Sequence, residues 1–499
     1  MALNNIDKKL IEEFEKLEPD FWDFKNEDTR CFTHGIHGYP AIMVAPVSRN
    51  LLSLTKKYVP VNSLMDPFMG SGSVLIEGMV AGINTIIGSD LNPLASLISK
   101  VRTTPLSDNQ ISLIDNFKIV LEKEFLKHKD NIDLFEKFVI NEKQLDITGK
   151  TGWGYDTKEI IDEFKNKYKC EFNFPDFTNI GFWFQPRAIY ELQLIKNVIN
   201  KSRDRDIKDF LKITFSETIR KVSNAKNGEF KLVRKKNEQI LKTKIDALKE
   251  FENLLKRNIS KMIDFNNVLK QNNSNSEVNL YSLDTRNLSD CKRIKDNSID
   301  LVITSPPYGD SQTTVAYGQY SRLSLQWLDL KDENNINIAS LDKSLLGGKP
   351  YRDKSQWEFL GSKTLTQSLK QIADADPFRA DDVFSFYIDL DKCIYGINKK
   401  MKSGSYQFWV VGNRTVKNIN LKTDVIISEM AKKYGIEYVY TVNRNIINKV
   451  MPSLNSPTNI VGRLVRTMTK ENIVVLRKLW KKRAFALFFY TILLTLNIK

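Results

Sequence analysis

Between about residues 40 and 100 the apolar positions change period twice. VNSLMDPF and NTIIGSDLNP are short apolar runs of strand length, and GSGSVLIEGMVAGI between them is a glycine turn followed by about ten residues of helix-forming sequence. Strand, glycine turn, helix, strand is the layout of a parallel βαβ unit. From Leu106 to about Ser276 charged, Lys-rich and Asn-rich stretches with helical spacing take over. One aromatic island, FPDFTNIGFWFQPRAIYELQLI, interrupts them and the polar run QNNSNSE closes them. Strand signals resume at VNLYSLD, SIDLVITSPPY, SYQFWVVGN and EYVYTVNR. The pattern predicts one α/β domain split by a long insertion. Its first half lies at 1–105, a mostly helical insertion at 106–277, a second α/β stretch at 278–328, a shorter insertion at 329–380, the rest of the sheet at 381–478 and an apolar tail at 479–499. The apolar run of that tail, Ala484 to Leu496, falls short of the roughly 20 residues a membrane-crossing helix needs. A docked or disordered tail is expected there, and no membrane partner.

Charge narrows the partners. The chain has 75 Lys and Arg against 60 Asp and Glu, a net charge of +15, with 41% apolar residues to build a core. Such a protein suits nucleic acid, anionic lipid or acidic proteins. The excess is concentrated: Lys196–Lys244 holds 15 basic and 6 acidic residues, and Arg444–Arg483 holds 10 basic residues and the single acid Glu471. The N-terminal MALNNIDKKLIEEFEKLEPDF is acidic and lacks an apolar run, so a cytoplasmic protein without a secretory signal is expected. Cys31, Cys170, Cys291 and Cys393 are too widely spaced for a metal knuckle and read as isolated thiols. His34, His37 and His128 are too few for a zinc site without other ligands, and no metal is expected.

Two segments carry chemistry. In Asp66-Pro67-Phe68-Met69-Gly70-Ser71-Gly72-Ser73 the glycines let the backbone turn tightly and approach a ligand. Asp90, at the end of the next strand in GSDLNP, sits where a nucleoside-binding unit places an acid for the ribose hydroxyls. A pyrophosphate fingerprint would need a third glycine where Leu75 stands, and Asp66 would repel a phosphate. A cationic sulfonium with a free amino group suits Asp66 better. A GxG turn by itself also serves as a plain structural turn; the whole unit of DPFMGSG, helix, strand and DLNP favours a ligand. The second segment is SIDLVITSPPYGD, a buried strand that delivers Ser305-Pro306-Pro307-Tyr308 at its carboxyl end, where open α/β sheets bind ligands. Adjacent prolines remove two N–H donors and leave carbonyls to face an incoming amine. Ser305 adds an acceptor and Tyr308 a flat face for a base.

With DPFMGSG, DLNP and TSPPY in one chain, the sequence resembles the AdoMet-dependent DNA amino-methyltransferases, in particular their N4-cytosine branch. HGYPA at 37–41, DTR at 284–286, GNRTV at 412–416 and KVMPSLNSPTN at 449–459 look like further family segments. The resemblance covers roughly residues 31–100 and 279–478. It implies a Rossmann-like AdoMet-dependent methyltransferase sheet interrupted by the helical insertion. Residues 1–105 become the cofactor-binding half, with Tyr39, Pro40, Asp66, Pro67, Phe68, Gly70, Gly72, Asp90, Asn92 and Asp284 around S-adenosyl-L-methionine. Ser305, Pro306, Pro307 and Tyr308 become the catalytic set, acting on a cytosine flipped out of double-stranded DNA. A restriction-modification role is implied, with a cognate endonuclease as a possible partner. Adenine N6 is the alternative target, although adenine enzymes more often carry Asp or Asn where this chain has Ser305. A non-catalytic, AdoMet-responsive DNA-binding protein is the alternative of another class.

Within the insertion, basic and hydroxyl side chains from Asp209 to Lys236 follow helical spacing. Arg220, Lys221, Lys226, Lys231 and Arg234 are the candidate DNA phosphate contacts. Trp183, Phe184 and Tyr190 read as core. Target reading is expected from the insertion, from 329–380, or from both.

Overall fold

The computed structural model describes residues 3–310, 313–330, 340–446, 454–455, 465–466 and 469–480. KVMPSLNSPTN, apart from Leu454 and Asn455, and the apolar tail beyond Trp480 lie outside the described residues.

Seven strands form one sheet: β1 (Ser63–Asp66), β2 (Thr85–Asp90), β3 (Glu277–Ser282), β4 (Ile299–Thr304), β5 (Met401–Val411), β6 (Ile436–Asn445) and β7 (Lys470–Lys478). Their order is β3-β2-β1-β4-β5-β7-β6. The pairs from β3 through β5 are parallel, and β7 runs antiparallel to both neighbours. The chain leaves β1 toward β2 and β3 on one side and returns through β4 on the other. The β1/β4 boundary is therefore the switch point at which such sheets open a crevice. This is the doubly wound, Rossmann-like methyltransferase sheet that the sequence implies, with helices between β2 and β3 as its insertion.

The central strands carry apolar residues on both sides because both sheet faces are covered. Leu64, Ile86, Leu301, Phe408, Val410 and Val475 enter one core; Met65, Ile87, Val302, Trp409, Val474 and Leu476 enter the other. The first core is shared with insertion helices Pro186–Lys201, Arg205–Val222 and Ala247–Gln271, which contribute Tyr190, Phe210 and Phe265. The insertion therefore covers a sheet face instead of standing apart from it. Helices Pro377–Lys400 and Thr423–Lys432 close the second core. Phe184 and Tyr190 are fully buried, Tyr190 stacked on Phe172 at 4.1 Å, and Trp183 is half-buried. The aromatic island is core, as expected.

Two local expectations change. β7 carries no place in the sequence-predicted strands, because its apolar run Ile473–Leu476 is short and flanked by Lys470, Arg477 and Lys478. Its neighbours on both sides supply the pairing that the local pattern does not advertise. The helical spacing read across residues 220–235 also ends early. The helix stops at Val222, and the chain folds back through Asn227-Gly228, with Ala225 bridged to Arg234 in antiparallel fashion. Asn-Gly supplies turn residues and breaks a helix.

The N-terminal helix Asn5–Glu15 is tied to the sheet by Asp7, which is wholly buried. It accepts hydrogen bonds from Arg477 Nε at 2.8 Å and Tyr406 Oη at 2.7 Å. All four cysteines are free thiols. No helix among the described residues is long and apolar enough to cross a membrane.

Candidate active site and cofactor cleft

Four neighbouring parallel strands end at one edge of the sheet, and each delivers a polar residue there. In spatial order these are Asp284 after β3, Asp90 at the end of β2, Asp66 at the end of β1 and Ser305 after β4. They line a single cleft that opens to solvent. Of the other residues expected around a cofactor, Tyr39, Pro40, Pro67, Phe68, Gly70 and Asn92 line it and Gly72 does not; Pro307 stands beside Ser305.

The turn after β1 follows from its glycines. Gly70 has φ 49° and Gly72 has φ 80°, conformations that a side chain would strain. A Cβ on Gly72 would also press on Ser99 at 3.0 Å. The turn is held from behind by the helix that follows β2, Pro93–Arg102. Ser99 Oγ donates to the Gly70 carbonyl at 2.9 Å, and Arg102 donates to the carbonyls of Ser71 and His34 at 2.9 Å and to that of His37. Arg102 is fully buried, and burial lowers its pKa to about 10. It fastens the HGYPA segment to the glycine turn. His37 donates or accepts at Ser216 Oγ, 2.9 Å away, and burial lowers its pKa to about 4, so it stays neutral.

Asp66 is deeply buried and Asp90 half-buried, and among the described residues neither forms an ion pair. Burial pushes the Asp66 carboxyl up to about 7, against hydrogen bonds from Thr304 Oγ1 at 2.7 Å and the Phe68 amide at 3.1 Å. Burial likewise raises Asp90 to about 6, opposed by the amides of Asn92 at 2.8 Å and Gly70 at 3.0 Å. Two acids without counter-ions at the same edge favour a ligand that brings positive charge or hydroxyl donors. Asp284 differs: Arg286 pairs with it at 2.6 Å and also with Asp389 at 2.9 Å. Asn92 caps its helix by accepting from Leu94 N, and its Nδ2 donates to Tyr39 Oη and Ser321 Oγ. Tyr39 stacks on Tyr317 at 5.9 Å, and both line the cleft.

On the catalytic side, Ser305 Oγ donates to the Val410 carbonyl at 3.0 Å. Pro306 is buried, and Tyr308 is half-buried behind the lining, with its hydroxyl donating to Glu471 Oε1 at 2.8 Å. Asp310, two residues on, is clamped by Arg379 at 3.2 Å and Arg414 at 3.3 Å. Burial alone would raise this carboxyl; the two guanidinium groups hold it below the ordinary value. Arg414 belongs to GNRTV, so that motif buttresses the loop after Tyr308.

Sequence reasoning passed over Tyr317, Arg102, Arg286 as a partner for Asp284, and Glu471. Tyr317 and Tyr320 are three apart on helix Tyr317–Trp327, a spacing that could have marked an aromatic face. The other three are visible only once distant segments meet. Of the basic candidates, Arg220 lies over the Tyr320 ring at 3.7 Å and donates to its carbonyl. Lys221 pairs with Glu250, and Arg234 donates to the carbonyls of Phe182 and Thr148. Lys226 and Lys231 form no ion pair among the described residues.

The Asp66 environment makes stability depend on pH. Its folded pKa of about 7 lies above the ordinary 3.8 of an aspartate, so the folded state binds its proton more tightly than the unfolded chain does. Its cost is absent below about pH 4, grows as pH rises toward 7 and is constant above. Asp66→Asn keeps an acceptor for Thr304 and removes the charge. It should be more stable than wild type by on the order of 1–3 kcal/mol at pH 8 and equal near pH 4, in urea unfolding at both values. A difference that does not change with pH would contradict this reading of Asp66.

No family model matches the chain. It is 39% identical over 484 residues to the Type II methyltransferase M.MvaI of Kocuria varians, covering 95% of this chain and 98% of that protein. It is 30% identical over 236 residues to the Type II methyltransferase M.MjaII of Methanocaldococcus jannaschii, covering 42% of this chain and 43% of that one. The similarity to M.MvaI spans both the cleft-forming half and the SPPY half of the sheet, and the chain belongs to the Type II methyltransferases.

Proposed function

We propose that the protein is a sequence-specific DNA methyltransferase that moves a methyl group from S-adenosyl-L-methionine to the exocyclic N4 of a cytosine flipped from the duplex. Its place would be the modification half of a restriction-modification system, beside an endonuclease acting on the same site. The observation that carries this reading is the state of Ser305. Its hydroxyl hydrogen is committed to the Val410 carbonyl, so its lone pairs remain for an amine at the mouth of the cleft.

The cleft fits the cofactor on the chemistry of its donors. Asp284 and Asp90 suit the adenine and ribose ends, and the glycine turn admits a ligand close to the backbone. Asp66 suits a cationic methionine end, whose charge would offset the burial that raises its pKa. When bound, AdoMet supplies an electrophilic methyl group. The chain's own part is orientation. Ser305 Oγ and the Pro306 carbonyl would accept the two amine hydrogens and aim the nitrogen lone pair, while Pro307 shapes the rim. Extruding the base costs a few kcal/mol. Stacking on Tyr308, which is half-buried and outside the cleft lining, would require the base to reach past Ser305 and would then return on the order of 1–3 kcal/mol. Among the described residues no cysteine lines the cleft, which supports direct transfer over a cysteine adduct. Adenine N6 is the second reading; Ser305 in place of an acid or amide disfavours it. A non-catalytic role as an AdoMet-responsive DNA-binding protein would leave the Ser305 arrangement without a use.

Purified protein incubated with duplex DNA and methyl-labelled AdoMet should yield N4-methylcytosine in a nucleoside digest read by mass spectrometry. Ser305→Ala should lower the rate by about 100-fold or more with DNA binding retained. N6-methyladenine as the sole product sinks the cytosine assignment, and label on RNA or protein but not DNA sinks the substrate class. Lys226 and Lys231 are the basic candidates placed to meet phosphates without breaking an internal contact. Replacing both with alanine should weaken cognate and non-cognate duplexes equally and flatten the log–log salt slope by about 2. An unchanged slope would move the phosphate contacts elsewhere.

A further inference from the structure

Glu471 is the single acid in the basic C-terminal segment, and it stands on β7, directly opposite Arg444 of β6. Its two oxygens are divided. Oε2 takes the guanidinium of Arg444 at 2.9 Å, and Oε1 takes the hydroxyl hydrogen of Tyr308 at 2.8 Å. Arg444 is itself buried and fixed, donating through Nε to the Trp22 carbonyl at 3.1 Å. The next residue, Asn445, is held by Asp23 at 2.8 Å. The carboxylate therefore has little freedom.

This arrangement decides where hydrogens point. An ionised carboxylate only accepts, so the Tyr308 hydrogen is directed at Glu471. A backbone carbonyl only accepts, so the Ser305 hydrogen is directed at Val410. The two hydroxyl oxygens lie 3.3 Å apart. With both hydrogens drawn away, Ser305 Oγ is left as an acceptor. Without Glu471 the Tyr308 hydroxyl would be free to turn and donate to Ser305 Oγ, filling the lone pair that an incoming amine needs.

We propose that Glu471 is a positioning residue for methyl transfer: from the antiparallel strand it anchors Tyr308 and sets the direction of the hydrogen bonds so that Ser305 accepts. This rests on the proposed amine-methylating function. Glu471 touches neither cofactor nor base; it acts through Tyr308.

The test compares wild type, Glu471→Gln, Tyr308→Phe and the double variant in single-turnover methylation of duplex DNA, with AdoMet affinity and unfolding measured in parallel. The amide keeps the shape and avoids the empty space of an alanine, but can donate to the tyrosine oxygen and turn its hydrogen toward Ser305. Glu471→Gln should slow transfer by about tenfold with AdoMet affinity unchanged. Tyr308→Phe removes the hydroxyl that can be misdirected. In that background Glu471→Gln should cost nothing further, and the double variant should be no slower than the slower single. A wild-type rate for Glu471→Gln, or losses that multiply in the double variant, would overturn the proposal while leaving the methyltransferase reading intact. Failure of wild type to methylate DNA overturns both.

Discussion

The parallel pairing of β1 with β4 is the contact on which the rest of the molecule depends. It joins residues 238 positions apart at Thr304 and Asp66, and its register is pinned at the opposite end. There Asp300 accepts from the Ser63 amide and hydroxyl at 3.0 Å, and its own amide donates to Ser63 Oγ at 2.9 Å. A one-residue slip would turn every side chain of β4 to the other face, because strand side chains alternate. Leu301 would leave one core and Val302 the other. The same slip would part Thr304 from Asp66 and carry Ser305 away from the cleft. The cofactor-type acid and the amine-type pocket share one edge because this pairing is held so firmly.

Around that edge the protein tolerates unfavourable electrostatics. Asp66 is buried and Asp90 half-buried, both without counter-ions among the described residues, and Arg102 is buried against carbonyls instead of a carboxylate. Hydrogen bonds from backbone amides and hydroxyls partly offset the cost, but they do not return the two carboxyls to ordinary acidity. Other buried acids are paired: Asp7 with Arg477, and Asp310 with Arg379 and Arg414. The contrast separates charges that hold the fold from charges kept available for a ligand.

Much of this was legible in the sequence. The four central parallel strands announce themselves by apolar residues on both faces, and the edge strand β3 by the alternation of Val278 and Leu280 with polar residues. The glycine turn, Asp90 and SPPY follow strands at the ends where ligands bind, so their convergence needed only the doubly wound topology. What the sequence hid depends on partners far along the chain. Strand β7 is short of apolar residues and is defined by its two neighbours. Arg220 and Arg234 look like free cations in a basic run, yet they are committed to Tyr320 and to carbonyls of residues 148 and 182. Glu471 looks like an exception in a basic segment until β6 and β7 pair and place it against Tyr308.

The order Asp284, Asp90, Asp66, Ser305 along one sheet edge is the central claim, and a crystal structure with S-adenosyl-L-homocysteine tests it most directly. The adenine should lie beside Asp284, the ribose hydroxyls on Asp90, the amino group at Asp66 and the sulfur end toward Ser305. A ligand bound in the reverse sense, or outside this cleft, would contradict it.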